Sequence, residues 1–506
     1  MDQGSTFDQV KALCAAYAKH LHKNHHAIAT VMTAYQSYSV TADEIERSIE
    51  CLTSIDEIKR HLVTGRTKRV CTFFPLNLPV YSLVLFAVVP SLISDEVFLR
   101  PPQKMIPVFR QLLGSLCLAE FFPNIHVSFS DRETFVRELV ADADVTIFTG
   151  KESNVRLVLQ KTRKNSIFLF NGWGCNPIVV AADADIAKAA SKAAEAKLFN
   201  ARQDCAGPDN ILVHKSVADQ FLAQLQHKVS QAKVGSYSDP DVLVGRIAED
   251  SALVRLASFL LKHQDKIVYG DGIDFANTIV WPTTIVAPLA EQTNYEEFFS
   301  PIFYINIFDD DDQLARYFDS PQYKANDMYV SLFGTSAYVK TLTKSIVYHE
   351  QTILDVERGN HAYGGYSFGA SFVASNGMTD PRPILVPKEI SEFIQGQAKA
   401  QNPISTTPKK LSAAQQKCIQ RDVTDFITQH FGDNLVFGFV FGSLLANKAT
   451  NASDIDNMIV LKIHNAEQED AYLMWLRKYH AEMGMTFDSV YPTESSRRHT
   501  SMSALL

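Results

Sequence analysis

Residues 183–214, DADIAKAASKAAEAKLFNARQDCAGPDNILVH, decide how the rest of the chain is read. Ile186, Ala190, Ala193, Ala194 and Leu198 recur at helical spacing and lead to Cys205. Gly207 and Pro208 then break the element, and Ile211-Leu212-Val213 reads as a strand. A thiol at the end of an ordered element, beside a Gly/Pro turn, is well placed as a nucleophile. The thiolate attacks carbonyl carbon, so such a cysteine needs nearby donors or positive charge, and Arg202 with the surrounding backbone N–H groups is expected to supply them. The competing reading is a small buried residue, the commoner fate of an unpaired cysteine.

The composition allows several domains and excludes several classes. With 506 residues the chain has material for two to four domains, and 46% hydrophobic against 21% charged residues is an ordinary globular balance. A net charge of −8 gives no general attraction to nucleic acid or anionic lipid. The seven cysteines are scattered and lack metal-site spacing, which argues against both a disulfide framework and a zinc site. The histidine group HLHKNHH (20–26) lies on a polar helical stretch without acidic or cysteine partners and reads as a solvated face. The most apolar run, Val80–Ile93, is too short to span a bilayer and contains Pro90. No signal pattern opens the chain, so a cytoplasmic, reducing location with no membrane partner is the default expectation.

Working outward, residues 7–63 show helical periodicity, and from residue 68 strands alternate with helices: KRVCTFF, EVFLRPP, HVSFS, VTIFTG and IFLFN before the nucleophile, TTIVAP and IFYINIF after it. Such alternation implies an α/β fold with a doubly wound parallel sheet, in which ligands lie at the carboxyl ends of the strands. Pro75-Leu76-Asn77-Leu78-Pro79 follows the first strand, and the Asn77 amide could donate to a developing oxyanion. Thr149-Gly150 follows the strand VTIF and opens a helix whose backbone N–H groups favour an anion.

These segments, in this order, resemble the aldehyde dehydrogenase superfamily over roughly residues 70–395. In FNARQDCAGPDNILVH the family's Gln-x-Cys nucleophile falls on Cys205, and in PLNLP its oxyanion donor falls on Asn77. Arg100-Pro101-Pro102-Gln103 stands where relatives carry Lys-Pro-Ser-Glu to hold the adenosine ribose; Gln103 lacks that carboxylate, which leaves NAD or NADP open. Thr149 and Gly150 take the pyrophosphate position. In NYEEFFSP the resemblance assigns Glu297 to the nicotinamide ribose, with Ser300 in place of the usual Gly. GGYSFGASFVASNG (364–377) is similar to the family's glycine-rich segment but lacks its Lys. Counting back from Asn176-Pro177 places Asn171 where hydrolytic members carry their general-base Glu. Asn cannot accept a proton from water. The resemblance therefore implies an aldehyde or activated-acyl substrate, with thioester exchange or acyl reduction at least as plausible as oxidation to a free acid. The domains implied are a dehydrogenase-like unit over 1–395, with cofactor-binding parts at about 1–180 and 380–395 and a catalytic part at about 181–379.

Residues 396–411 are Pro/Thr/Gln-rich and read as a linker, and 412–506 as a separate small α+β domain. There LVFGFVFGS ends in Gly442-Ser443, and Asp454-Ile455-Asp456 leads into the apolar strand NMIVL. Carboxylates at i and i+2 share one face of a strand and could hold divalent metal, while Gly-Ser lets backbone approach a triphosphate. This resembles a minimal nucleotidyltransferase of the polymerase-beta type, with Asp488 as a third carboxylate. The resemblance implies Mg²⁺ and a nucleoside triphosphate as co-substrate; no Lys/Arg cluster suggests a nucleic-acid partner. The expectation is a bifunctional enzyme. The alternative is a non-catalytic, cofactor-binding or dimerising scaffold carrying a nucleotidyltransferase, and a homodimer stays open as the assembly.

Overall fold

The structure, a computed structural model, describes residues 3–63, 65–270, 272–289, 294–295, 297–401, 410–440, 449, 457–462, and single positions 468, 472, 475, 476, 479 and 483. The chain divides into two compact units, Met1–Gln397 and Ala398–Leu506.

In the first unit, β1 (Thr67–Phe73), β2 (Ser94–Arg100), β3 (Ile125–Val127), β4 (Val145–Thr149) and β5 (Ile167–Asn171) form the first sheet. β6 (Ile178–Val180), β7 (Asn210–His214) and β8 (Ile267–Tyr269) belong to the second, and β9 (Ile273–Asp274) pairs with β10 (Ile279–Val280) as a small hairpin. β11 (Thr283–Pro288), β12 (Ile302–Phe308), β13 (Tyr329–Phe333) and β14 (Ile346–His349) complete the second sheet, and β15 (Ser371–Ser375) and β16 (Met378–Pro381) return to the first. The orders are β16-β15-β5-β4-β1-β2-β3 and β14-β13-β6-β7-β12-β11-β8. Strands β1 to β5 run parallel, as expected, but β15 is antiparallel to β5, β16 to β15, and β8 to β11. The purely parallel expectation is therefore corrected: both sheets are mixed. The direction of an edge strand depends on how the chain returns to the sheet, which strand–helix alternation alone does not encode. Because β15 lies beside β5, residues 371–381 join the first sheet, earlier than the return at about 380 expected from sequence.

The order around β1 creates the switch point. β2 and β3 lie on one side of β1, β4 and β5 on the other, so the loops leaving β1 and β4 diverge and open a crevice at their carboxyl ends. Both motifs read from sequence, the one at Asn77 and the one at Thr149-Gly150, leave those two strands.

The apolar run after β1 is helical from Pro79 to Ser91, with a π-helical stretch over Val84–Val88. Pro90 lacks an N–H and its ring would crowd the carbonyl four residues earlier. That carbonyl, of Phe86, instead accepts the Thr72 hydroxyl at 2.8 Å. Widening one turn resolves the conflict.

Two N-terminal helices, Gln3–Met32 and Tyr38–Thr53, pack with the first sheet through Tyr17, Leu21, Ile28, Ile45 and Leu52. Glu44, buried on the second, accepts the backbone N–H groups of Val80 at 2.7 Å and Tyr81 at 2.9 Å. A carboxylate thus meets the unsatisfied N-terminus of the helix that follows Asn77.

In the second unit, helix Ala413–Phe431 starts in a capping box between Ser412 and Gln415 and buries Ile419, Val423, Ile427 and Phe431. β17 (Leu435–Val440) and β18 (Asn457–Leu461) pair antiparallel, with Val440 opposite Asn457. Phe426 stacks on Trp475 at 3.8 Å between centroids. Gly442, Ser443, Asp454, Asp456 and Asp488 lie outside the described residues. The segment expected as linker begins helical: helix Val386–Gln401 runs into it.

Candidate active site

The turn that carries Cys205 is backbone-strained. Helix Ile186–Leu198 ends, and Asn200, Ala201 and Arg202 follow with φ of 48°, 50° and 61°. Left-handed non-glycine residues each cost on the order of 1–2 kcal/mol, so the turn must be held by its surroundings. Arg202 holds it from inside: fully buried, it donates from Nε to Pro208 O at 2.9 Å, from Nη1 to Asp204 O, and pairs with the Asp209 carboxylate. Gly207 is required here, since a Cβ at that position would lie 2.6 Å from Arg202 Cδ. Asn176 holds the turn from outside, its Nδ2 donating to Cys205 O at 3.1 Å while its Oδ1 accepts Tyr329 N–H at 3.1 Å.

Cys205 itself is half-buried, its Sγ 2.9 Å from Tyr363 Oη. Tyr363 is set by the glycine-rich segment that follows it: Gly364 N–H donates to Tyr329 Oη at 2.9 Å, and Gly365 N–H to Ser371 Oγ at 3.0 Å. The expectation that Arg202 activates the thiol fails. Its guanidinium is engaged by Asp209 and two carbonyls, and burial together with the nearby Asp204 carboxylate pushes the Cys205 thiol well above its ordinary range, against a weaker pull from Tyr363. Both effects favour the neutral form of the Cys205 thiol.

The thiol opens on a cavity with about 830 Å³ of empty space, its mouth included. Asn77, Thr149, Asn171 and Cys205 all line it, joined by Tyr81, Asp204, Glu357 and Tyr363. Four residues chosen from separate motifs therefore meet at the crevice beside β1 and β4. Asn171 ends β5, is 3% exposed, and its Nδ2 has no hydrogen-bond partner. Arg100, Gln103, Gly150 and Glu297 are not on the cavity wall. Arg100 ends β2 and donates to Ser130 O at 3.1 Å; Gln103 is exposed just beyond it. Glu297 sits beside the Cys205 turn: Phe298 N–H donates to Asp209 Oδ1 at 3.0 Å, and burial pushes the Glu297 carboxyl up to about 8.

These strand ends suit a dinucleotide. Gly150 has φ of 150°, a region that favours glycine, and helix Glu152–Leu159 begins without a side-chain cap, so its first N–H groups are open to an anion. Thr149 Oγ1 is a buried hydroxyl without a partner in the same place. Two ion pairs, Lys151–Glu249 at 3.2 Å and Lys104–Asp250, tie these strand ends to the loop before helix Ala252–Lys262.

A profile of the Aldehyde dehydrogenase family matches residues 6–341. The chain belongs to the aldehyde dehydrogenase family. The match starts well before residue 70, so it takes in the N-terminal helices, and it stops short of the glycine-rich segment. Among curated relatives, a probable NADP⁺ succinate-semialdehyde dehydrogenase of Sinorhizobium fredii is 26% identical over 279 residues, covering 52% of this chain and 54% of the relative. A benzaldehyde dehydrogenase of Bacillus subtilis is 25% identical, covering 58% and 62%. The chain spans about half the length of the curated relatives it matches. Among solved structures, succinic semialdehyde dehydrogenase of Streptococcus pyogenes with NADP⁺ aligns at TM-score 0.64 and 17% identity, covering 75% of this chain and 90% of that one. Glyceraldehyde-3-phosphate dehydrogenase of Methanocaldococcus jannaschii with NADP aligns at 0.63 and 17% identity, covering 76% and 88%. This likeness confirms the aldehyde dehydrogenase fold. No comparison supports the nucleotidyltransferase reading of the second unit.

Sequence reasoning missed Tyr81, Glu357 and Tyr363. Tyr363 adjoins Gly364-Gly365 and could have been found from that motif. Glu357 stands in the unremarkable run ILDVERG and carried no local signal.

Proposed function

We propose that the first unit is an NAD(P)-dependent oxidoreductase of aldehydes or activated acyl groups, working through a covalent bond to Cys205. The observation that carries the reading is the convergence of Cys205, Asn77, Thr149 and Asn171 on one cavity at the sheet's switch point. Cys205 Sγ attacks the carbonyl carbon, and the carbonyl electron pair moves to oxygen, where the Asn77 amide donates. When bound, the nicotinamide supplies the hydride acceptor; Thr149, Gly150, Arg100 and Gln103 hold its dinucleotide, and Glu297 its ribose. The resulting thioester faces an amide at Asn171, which takes no proton from water. Transfer of the acyl group to a thiol, or the reverse reduction of an acyl thioester, is therefore favoured over release of free acid. The test is a panel of aldehydes and acyl thioesters with NAD⁺, NADP⁺ and their reduced forms. Cofactor binding without turnover on any of them would favour the scaffold alternative.

We also infer a second activity, metal-dependent nucleotidyl transfer by the second unit. Its support is the helix and antiparallel strand pair: Gly442-Ser443 follows β17 in sequence and Asp454-x-Asp456 precedes β18, and the strand ends next to them, Val440 and Asn457, are paired. Mg²⁺-dependent transfer of label from α-labelled triphosphates, lost in Asp454→Ala and Asp456→Ala, tests it. Transfer unchanged by both substitutions ends it.

A further inference from the structure

The resting site has a defect that its chemistry must overcome. Burial and the neighbouring Asp204 favour the neutral Cys205 thiol, Arg202 is engaged elsewhere, and the Asn171 amide on the cavity wall takes no proton. Something else must take the thiol proton.

We propose that Glu357 is the general base of this site, accepting the Cys205 proton as the thiol attacks substrate; this rests on the reading of Cys205 as nucleophile. Three groups that could take a proton line the cavity, Asp204, Glu357 and His361, together with Arg358; His361 is exposed with its Nε2 3.7 Å from the Glu57 carboxylate, and Arg358 pairs with Glu50. Asp204 is turned to its own loop, Oδ1 accepting the Ala206 N–H at 3.1 Å. Glu357 is held over the cavity from a different part of the fold. It follows the short helix Ile353–Val356, whose end is pinned by helix Tyr38–Thr53: Arg47 donates to Leu354 O at 3.0 Å and to Glu357 O at 3.4 Å. Asn360 adds a bond to Cys51 O at 2.9 Å, and Gly359 packs against Cys51, where a Cβ would lie 2.8 Å from its sulfur. The N-terminal helices thus have a role in the site: they clamp the segment that carries the base.

The surroundings suit the task. Glu357 faces Asp43 and Arg47 from helix Tyr38–Thr53, Tyr81 from the helix after Asn77, and Asp204 from the nucleophile turn. Tyr348, Tyr329, Tyr363 and Cys205 feel its charge from the other elements around it. Burial and Asp204 push its carboxyl up to about 7, against the pull of Arg47 and Tyr81. Arg47 Nη1 stands 3.6 Å from Glu357 Oε2 while its Nε binds Asp43 at 2.7 Å, so its charge is shared. A base is most effective when its pKa lies near working pH.

The step balances without a further reagent. The Sγ–H bond breaks and the S–C bond forms; the proton goes to a Glu357 oxygen, and the carbonyl pair goes to the substrate oxygen. Hydride departure to the oxidised cofactor then leaves the thioester, and the proton on Glu357 passes to water, or returns to Cys205 Sγ as an incoming thiol, losing its own proton to water, takes the acyl group.

Glu357→Gln keeps the side-chain size and removes the base. In the full chain it is expected to lower the burst of cofactor reduction about 10²–10³-fold, within the range of general-base effects. It should also abolish the rise in rate through about pH 7, which is where ionisation of Glu357 would switch the base on. Cofactor affinity should stay within about twofold. Iodoacetamide labelling of Cys205, followed by peptide mass spectrometry, reads the same proton transfer without substrate: wild type should show a step near pH 7 that Glu357→Gln lacks. Glu357→Asp should restore part of both, and serves alone if the amide variant does not fold. An unchanged labelling step overturns the base assignment whatever the substrate proves to be. Labelling that obeys Glu357, with no turnover on any carbonyl substrate, supports the base and instead defeats the oxidoreductase reading.

Discussion

Arg202→Met isolates what the Cys205 turn owes to a buried ion pair. Arg202 and Asp209 have side-chain exposures of 0% and 4%, and Arg202 also carries two backbone carbonyls. Methionine fills much of the same volume but leaves Asp209 as an uncompensated buried charge, beside carbonyls that no longer have a donor. Breaking one side of such a pair costs about 3–5 kcal/mol. For a unit of this size each kcal/mol moves the melting temperature about 2 °C, so a drop on the order of 6–10 °C is expected. Three successive residues in left-handed backbone lose their brace at the same time, so Cys205 should become more accessible to alkylation in the folded protein. Adding Asp209→Asn removes the stranded charge, and the double variant should regain about 1–3 kcal/mol over Arg202→Met alone. Calorimetry of wild type, both single variants and the double variant gives the cycle. A melting temperature for Arg202→Met within 1 °C of wild type would refute the reasoning, and so would strictly additive effects in the cycle.

Cys205→Ala should abolish hydride transfer while leaving cofactor affinity nearly unchanged, as measured by nicotinamide fluorescence on titration. Asn77→Ala should lower the burst rate about 10²–10³-fold with little effect on cofactor binding, because it removes a donor to charge that develops only during reaction. Asn171→Glu should turn a stalled burst into steady release of free acid if its carboxylate reaches the thioester; product analysis by chromatography distinguishes the two outcomes. The same substitution adds a third carboxylate to the cavity, beside Asp204 and Glu357, so the pH at which the rate rises should move upward rather than down.

The parts of the site legible in the sequence are those carried by single breaks between elements. Asn77, Thr149, Asn171 and Cys205 each sit at a local break between elements, and periodicity located each break. Parallel packing of β1, β4 and β5 brings Asn77, Thr149 and Asn171 together, and the turn before β7 of the second sheet brings Cys205 to the same cavity. What was not legible depends on contacts distant in sequence. Tyr363 reaches Cys205 across 158 positions, and Glu357 is placed by Arg47 across 310. No local pattern records such pairs. Arg202 was misread for a different reason: its charge was visible, but its direction depended on a left-handed turn that brings Asp209 beneath it. The antiparallel edges β8, β15 and β16 were missed because alternation fixes neighbours in sequence, not strand sense. In the helical run after Asn77, only Pro90 hints at the widened turn.

The measurement that bears most directly on the account is the identity of the covalent intermediate. The full chain, incubated with an aldehyde and oxidised cofactor, then quenched in acid and digested, should yield an acyl group on the peptide containing Cys205. The adduct should form in step with the burst and disappear when a thiol acceptor is added before the quench. Turnover with no adduct on Cys205, or an adduct on Cys175 or Cys117 in its place, would contradict the account.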